Sequence, residues 1–280
     1  MAPHPQSGGS PTEETRSRDD LVEAQFSAAA SAARYAWWHQ FGPGARYSRS
    51  RIHLIMATLA SAPGGNLLDA GCGPGLMVHE LLERRPADFR IVALDRSSAM
   101  VAACARIAAG KKNVTTLVGR IEAVPYADAT FDVVLAMGVL EYANVPAALA
   151  EIARVTKPAG LVLVTMLNPR SPYRFVEWHI YPPLSRLANA LIGTGTRRPR
   201  RPSDAGISAY RASALRAMMV AAGLRPFDLA YYDVTFLVPP IDRLIRGWTR
   251  RRQIRPERTI SRGWRRLWGT AYMIAARRAG

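Results

Sequence analysis

Two aspartates stand around a glycine-rich turn in a spacing that suits a nucleotide-like ligand. The segment Leu67-Leu68-Asp69-Ala70-Gly71-Cys72-Gly73-Pro74-Gly75 runs from an apolar stretch into a helical pattern. Glycines at alternate positions allow a tight turn and let a ligand come close to the backbone. The helix after such a turn offers free N–H groups to a polar ligand. Asp95 ends the next apolar stretch, about 20 residues past the last glycine, where a carboxylate can bind both hydroxyls of a ribose. Asp69 or Asp95 alone could be an ordinary strand-end residue. A strand, a glycine turn, a helix and a second acidic strand end together supply the context that a nucleotide site requires.

Other reactive side chains are sparse. The five histidines are His4, His39, His53, His79 and His179. His179 stands in Glu177-Trp178-His179-Ile180-Tyr181, where it could act as a base or simply pack. The two cysteines, Cys72 and Cys104, cannot build a disulfide framework and suit a reducing, cytoplasmic setting. No set of residues has zinc-ligand spacing, so no metal is expected.

These residues need a scaffold, and the hydrophobic pattern supplies one. Residues 1–18 read as a disordered tail and 19–62 as a helical segment broken at Gly42-Pro43-Gly44. Residues 63–168 alternate strands with helices. The strands are Asn66–Ala70, Phe89–Asp95, Val114–Val118, Phe131–Gly138 and Leu161–Leu167, with Lys157-Pro158-Ala159-Gly160 as a turn before the last. Repeated β-α-β units predict an α/β fold with a doubly wound, mostly parallel sheet. Residues 169–205 are rich in proline and aromatics and read as an inserted cap. Residues 206–280 return to the sheet with strands at Leu224–Val234 and Trp268–Arg277, seven strands in all, around a basic insertion at 239–266.

Charge is distributed unevenly. The formal net charge is +17, and residues 169–280 carry +16 of it. Ile241, Leu244, Ile245 and Trp248 fall at helical spacing among Arg243, Arg246, Arg250 and Arg251. That pattern fits a basic amphipathic helix at a membrane surface, or one packed on the domain with a solvated face. No apolar stretch is long enough for a membrane-spanning helix.

Asp69–Gly75 resembles the first motif of the class I S-adenosylmethionine (SAM) dependent methyltransferases, in particular the ubiquinone/menaquinone-biosynthesis group. Val92–Met100, Gly119–Tyr126, Phe131–Val134 and Leu149–Gly160 extend the likeness. The resemblance implies SAM as cofactor and a seven-stranded Rossmann-like sheet. It implies that Gly71, Cys72 and Gly73 approach the methionine part of SAM, that Asp69 holds its amino group, and that Asp95 holds the ribose. Arg96 and Met100 would flank the adenine, Ile121 and the backbone of Arg120 would contact it, and Met137 and Gly138 would line the methionine side. Tyr35, or Tyr47, would close the site. The family commonly has an aspartate where this chain has Arg120, so either the backbone alone reads the adenine or Arg120 points outward. Gly138-Val139-Leu140-Glu141-Tyr142 resembles a Val-Leu-Glu-His stretch that serves the acceptor, with Tyr142 in place of the histidine. Glu141, Tyr142 and His179 are thus the expected catalytic residues. The implied reaction is methyl transfer to an oxygen of a small or lipophilic acceptor, quinone-like or natural-product. The alternative is RNA methylation through the arginine-rich part. Residues 239–266 would provide any contact with a membrane surface.

Overall fold

The structure is a computed structural model, and it describes residues 29–42, 44–184, 207–236, 238 and 260–280. The expected tail at 1–18, the first residues of the N-terminal helical segment, most of the cap and the basic helix at 241–252 lie outside the described residues.

Two helices come first, α1 (Ala29–Gln40) and α2 (Ala45–Leu59). The alternating core follows: β1 (Gly65–Ala70), α3 (Leu76–Arg84), β2 (Phe89–Asp95), α4 (Ser98–Ile107), β3 (Val114–Val118), β4 (Phe131–Met137), α5 (Val145–Val155) and β5 (Thr156–Leu167). A short helix, α6 (Pro172–Phe175), passes into a π turn at Val176–Ile180. Then come α7 (Ala212–Ala221), β6 (Leu224–Val234), a 3-10 turn at Trp264–Trp268, and β7 (Gly269–Arg278). The helix starts follow from local chemistry. Ser97 Oγ accepts the Met100 N–H at 3.2 Å to cap α4, and Asn144 Oδ1 accepts the Ala147 N–H at 3.3 Å to cap α5.

The seven strands form one sheet in the order β3-β2-β1-β4-β5-β7-β6. The β1–β2, β1–β4, β2–β3 and β4–β5 pairs are parallel. β7 runs antiparallel to both β5 and β6, so it enters the sheet at the end where β5 and β6 leave it. Period-two alternation sends successive side chains to opposite faces. Leu68, Val134, Val162 and Val164 join the core under α5 and α7. Leu67, Val133, Leu135 and Leu163 join the core under α2 and α3.

Two expectations are corrected. Lys157–Gly160 is not a turn ahead of β5 but part of that strand. The irregularity it signals is absorbed by a register shift opposite Phe131 and Val133, with Ala159 at φ +60°. The last strand starts at Gly269, because Trp264–Trp268 winds into the 3-10 turn first.

Candidate functional site

The C-terminal ends of β1, β2 and β4 meet at the glycine turn. Gly71, Gly73 and Gly75 have φ of +85°, +52° and +87°, which favours glycine at each place. Two of them also solve a packing problem. A Cβ on Gly71 would lie 2.6 Å from the Val139 side chain, and one on Gly75 would lie 3.0 Å from the Cys104 backbone. Gly73 differs, because a Cβ there would meet nothing nearer than the Tyr35 ring at 4.0 Å. Backbone is therefore open at Gly73, under a tyrosine. Asp95 is tied to this turn. Its Oδ2 accepts the Gly73 N–H and its Oδ1 accepts the Ser97 N–H, both at 2.9 Å. Burial raises the pKa of this carboxyl, and those two N–H groups work against the rise. Each oxygen keeps a lone pair for a further donor. Cys72 is buried beside Cys104, which raises its thiol pKa together with burial.

Asp69 lies behind the turn, fully buried, and neither of its oxygens has a hydrogen-bond partner among the described residues. Burial pushes its pKa up to about 7; Asp95 adds to the rise and Arg51 opposes it. A buried carboxylate without a donor is costly. Arg51 is its electrostatic counterpart. It comes from α2, is buried, and has an Nε with no partner among the described residues. Gly138, just past β4, adopts φ +62°, which favours glycine there, and a Cβ on it would lie 2.7 Å from the Arg51 Nη1. Burial disfavours the guanidinium charge, but Tyr47, Tyr232, Tyr35 and Glu141 outweigh that and keep it protonated. Among the described residues, Asp69 therefore lacks a donor and the Arg51 Nε lacks an acceptor.

α1 and α2 form the roof. Tyr35 from α1 stacks on His39 at a centroid distance of 4.2 Å. Tyr47 from α2 bonds the Tyr232 hydroxyl at 3.0 Å and carries Arg51 over its ring at 5.3 Å. His39 is held neutral, its pKa lowered to about 3 by burial and by Arg51. Arg46 Nε pairs with Asp233 Oδ1 at 2.8 Å, and Thr270 Oγ1 donates to Asp233 Oδ2 at 2.5 Å. Asp233 adopts φ +54°, a region disfavoured for residues with a Cβ. This latch fastens the roof to β6 and β7.

Glu141 sits in a 3-10 turn after β4 and is buried. Its Oε1 accepts the Leu167 N–H at 3.1 Å, and its carbonyl accepts the Ser208 N–H at 2.8 Å. Burial pushes its pKa up to about 7, against hydrogen bonds from its own backbone and Leu167 and the charges of Arg51 and Arg174. The charge of Arg51 acts on Glu141, Tyr35 and Tyr47 as well as Asp69, so these groups cluster around it. Tyr142 is half-buried beside them, its phenol pKa raised by burial.

A methyltransferase-domain family profile matches residues 68–164. A demethylmenaquinone methyltransferase from Thermus thermophilus is 31% identical over 210 residues, spanning 72% of this chain and 90% of that protein. A ubiquinone/menaquinone biosynthesis C-methyltransferase from Geobacter sulfurreducens is 29% identical over 211 residues, spanning 72% and 78%. The chain belongs to the class I SAM-dependent methyltransferases. Haemonchus contortus phosphoethanolamine N-methyltransferase 2, solved with S-adenosylhomocysteine, shares the fold at a TM-score of 0.61 and 14% identity, over 95% of this chain and 61% of that one. The methyltransferase is of the small-molecule type, with SAM as its cofactor.

Around this methyltransferase's glycine turn, the remaining residues singled out in the sequence fall into two groups. Met100, Ile121 and Met137 are buried, and Arg96 and Gly138 half-buried. Arg120 lies apart. Its side chain is 47% exposed and its Nε pairs with Glu122 at 3.5 Å, so of the two alternatives it takes the outward one. His179 is also outside the Arg51 cluster, exposed on the π turn with its ring 5.3 Å from Phe175. Sequence reasoning missed Arg51 and the Arg46–Asp233 latch. A signal existed for Arg51. Ser48, Arg51, Ile55 and Leu59 lie at helical spacing on one buried face, and a charge on such a face calls for a counterion.

Proposed function

We propose that this methyltransferase moves the methyl group of SAM to an oxygen of a small lipophilic acceptor, quinone-like or natural-product. The observation that carries the reading is a buried cluster of three groups: Asp69, whose oxygens have no donor among the described residues, Arg51, whose Nε has no acceptor among them, and the buried carboxyl of Glu141.

The vacant valences fit an amino acid zwitterion. Asp69 takes the ammonium of the methionine part and Arg51 takes its carboxylate. Gly71, Cys72 and Gly73 give it backbone to lie on, and Gly138 leaves room for Arg51. Asp95 uses its remaining lone pairs for the ribose hydroxyls. Met100, Ile121 and Arg96 enclose the adenine, with the Arg120 backbone at its edge. Met137 lines the sulfur side and Tyr35 covers it. Bound SAM supplies a methyl on a sulfonium that needs no activation. The protein's share is to align the acceptor and exclude water, which can contribute about 7–11 kcal/mol. Glu141, ionised above about pH 7, accepts the acceptor's hydroxyl proton at its carboxylate, worth about 10²–10⁴-fold. Tyr142 borders the same space. No observation favours RNA as the acceptor. Residues 239–266 remain the proposed membrane contact, although only Ile260–Arg266 of that stretch falls among the described residues. Among the described residues no helix is long and apolar enough to cross a membrane.

The test is transfer of labelled methyl from SAM to a panel of hydroxylated quinols and phenols, with product fragmentation by mass spectrometry. Label on an oxygen is expected. Label on ring carbon or on nitrogen refutes the oxygen assignment, and label appearing only in RNA refutes the acceptor class.

A further inference from the structure

We infer that the end of the sheet beside Glu141 and Tyr142 is a docking face for an anionic phospholipid bilayer. The inference rests on the lipophilic-acceptor reading and names the surface from which such an acceptor would arrive.

Topology places several separate segments at that end. β1, β4 and β5 finish there. β6 finishes there too, since both it and β5 run antiparallel to β7, and β7 starts there. The ion pair of Arg46 with Asp233 puts the start of α2, and so the end of α1, at the same end. Twelve large hydrophobic side chains are exposed among the described residues. Six of them lie on these segments: Trp37 and Trp38 at the end of α1, Phe175 on α6, Phe236 just past β6, and Trp264 and Leu267 in the turn before β7. Trp264 is 73% exposed and Leu267 64%. α6 packs beside the turn that carries those two, and the Phe236 ring lies 5.0 Å from Trp268, so three of the segments adjoin. Exposed apolar groups gathered at one end mark an interaction surface.

The charge on these segments selects the partner. Residues 29–51, 168–184 and 260–268 contain nine arginines. Arg51 is buried, and Arg46, Arg174 and Arg262 pair with Asp233, Glu177 and Asp228, while Arg34, Arg49, Arg170 and Arg266 are exposed. Arg170 and Arg266 are exposed, and both lie near enough to lower the Tyr231 pKa that burial raises. Tryptophans projecting from an arginine-rich rim match an anionic headgroup layer over acyl chains. Arginines near such a surface are drawn to it, and salt screens the attraction. That end of the sheet would then face the layer in which a lipophilic acceptor dissolves.

The full-length protein should float with vesicles of phosphatidylcholine and phosphatidylglycerol, and far less with phosphatidylcholine alone. Added salt should weaken binding. Trp264→Ser with Leu267→Ser should lower the partition constant at least about tenfold, and Arg265→Glu with Arg266→Glu should do the same by charge. Calorimetric titration with SAM should be unchanged in both pairs, which shows that they fold. Loss of SAM binding in the wild type would sink the methyltransferase site and leave the docking face to the flotation result. A wild type that binds SAM but fails to float on anionic vesicles overturns the docking face alone. So does flotation unaffected by either pair, or a variant that loses self-association or RNA binding instead.

Discussion

Asp69→Asn should make the SAM-free protein more stable and the SAM complex weaker, a pairing of opposite signs that few substitutions produce. Asp69 is fully buried with no hydrogen-bond donor among the described residues, and burial lifts its pKa from 3.8 to about 7. In the folded state the carboxyl is therefore still protonated at pH values where the unfolded chain has already lost the proton. A raised carboxyl pKa makes stability fall as pH rises, from about pH 4 until the folded group ionises near pH 7. At about 1.4 kcal/mol per pH unit, the full penalty at neutral pH and above reaches about 4 kcal/mol as an upper bound. Asparagine has the same shape and no charge, but its amide also has to be satisfied, so a net gain of about 1–2 kcal/mol is expected. SAM binding should respond the other way. Losing a charge-assisted hydrogen bond to the ammonium costs about 1.5–3 kcal/mol, or about 10- to 150-fold in affinity. Below about pH 7 the wild type must release a proton from Asp69 to bind SAM, so its affinity should fall with falling pH, approaching tenfold per unit, while the variant's stays flat. Denaturant unfolding of SAM-free protein across this range and calorimetric titration with SAM measure both effects. A variant that unfolds along the wild-type pH curve, or binds SAM with wild-type affinity, refutes the reasoning.

Four further outcomes can be measured on the same preparations. Arg51→Met should lower SAM affinity at least about tenfold, because an ionic partner of the donor's carboxylate is gone; unchanged affinity by titration would assign Arg51 to the acceptor instead. Asp95→Ala or Gly73→Arg should largely abolish SAM binding, the first by freeing the turn and losing the ribose ligand, the second by filling the open backbone at φ +52°; calorimetry decides. Glu141→Gln should lower kcat about 100-fold with SAM affinity retained, and should erase a rise in activity with pH through about 7. His179→Ala, on an exposed ring, should leave turnover near wild type, and a loss matching that of Glu141→Gln would bring it back into the mechanism.

The glycine turn and Asp95 could be read in the sequence because their relation is local: one β-α-β unit fixes both, and the Asp95–Gly73 hydrogen bond closes what the spacing anticipates. The position of β7 could not be, since apolar periodicity marks a strand and says nothing of which neighbours it pairs with or in which direction. Arg120 and His179 look equivalent to their buried neighbours in sequence, yet an ion pair with Glu122 and one turn of π geometry send them outward. Arg51 shows the same limit from the other side. Its complement, Asp69, is on a different element, and only the folded roof brings the charge of Arg51, whose Nε has no acceptor among the described residues, near a carboxylate that has no donor among them. The latch at Asp233 belongs to the same problem. A residue held at φ +54° costs about 1–2 kcal/mol. That strain is tolerated where the ion pair to Arg46 and the bond from Thr270 secure the helix that carries Tyr47 and Arg51. The half of the site built on the sheet is thus encoded by local spacing. The half built on α1 and α2 is encoded by polar residues on buried helix faces, whose partners lie far away along the chain.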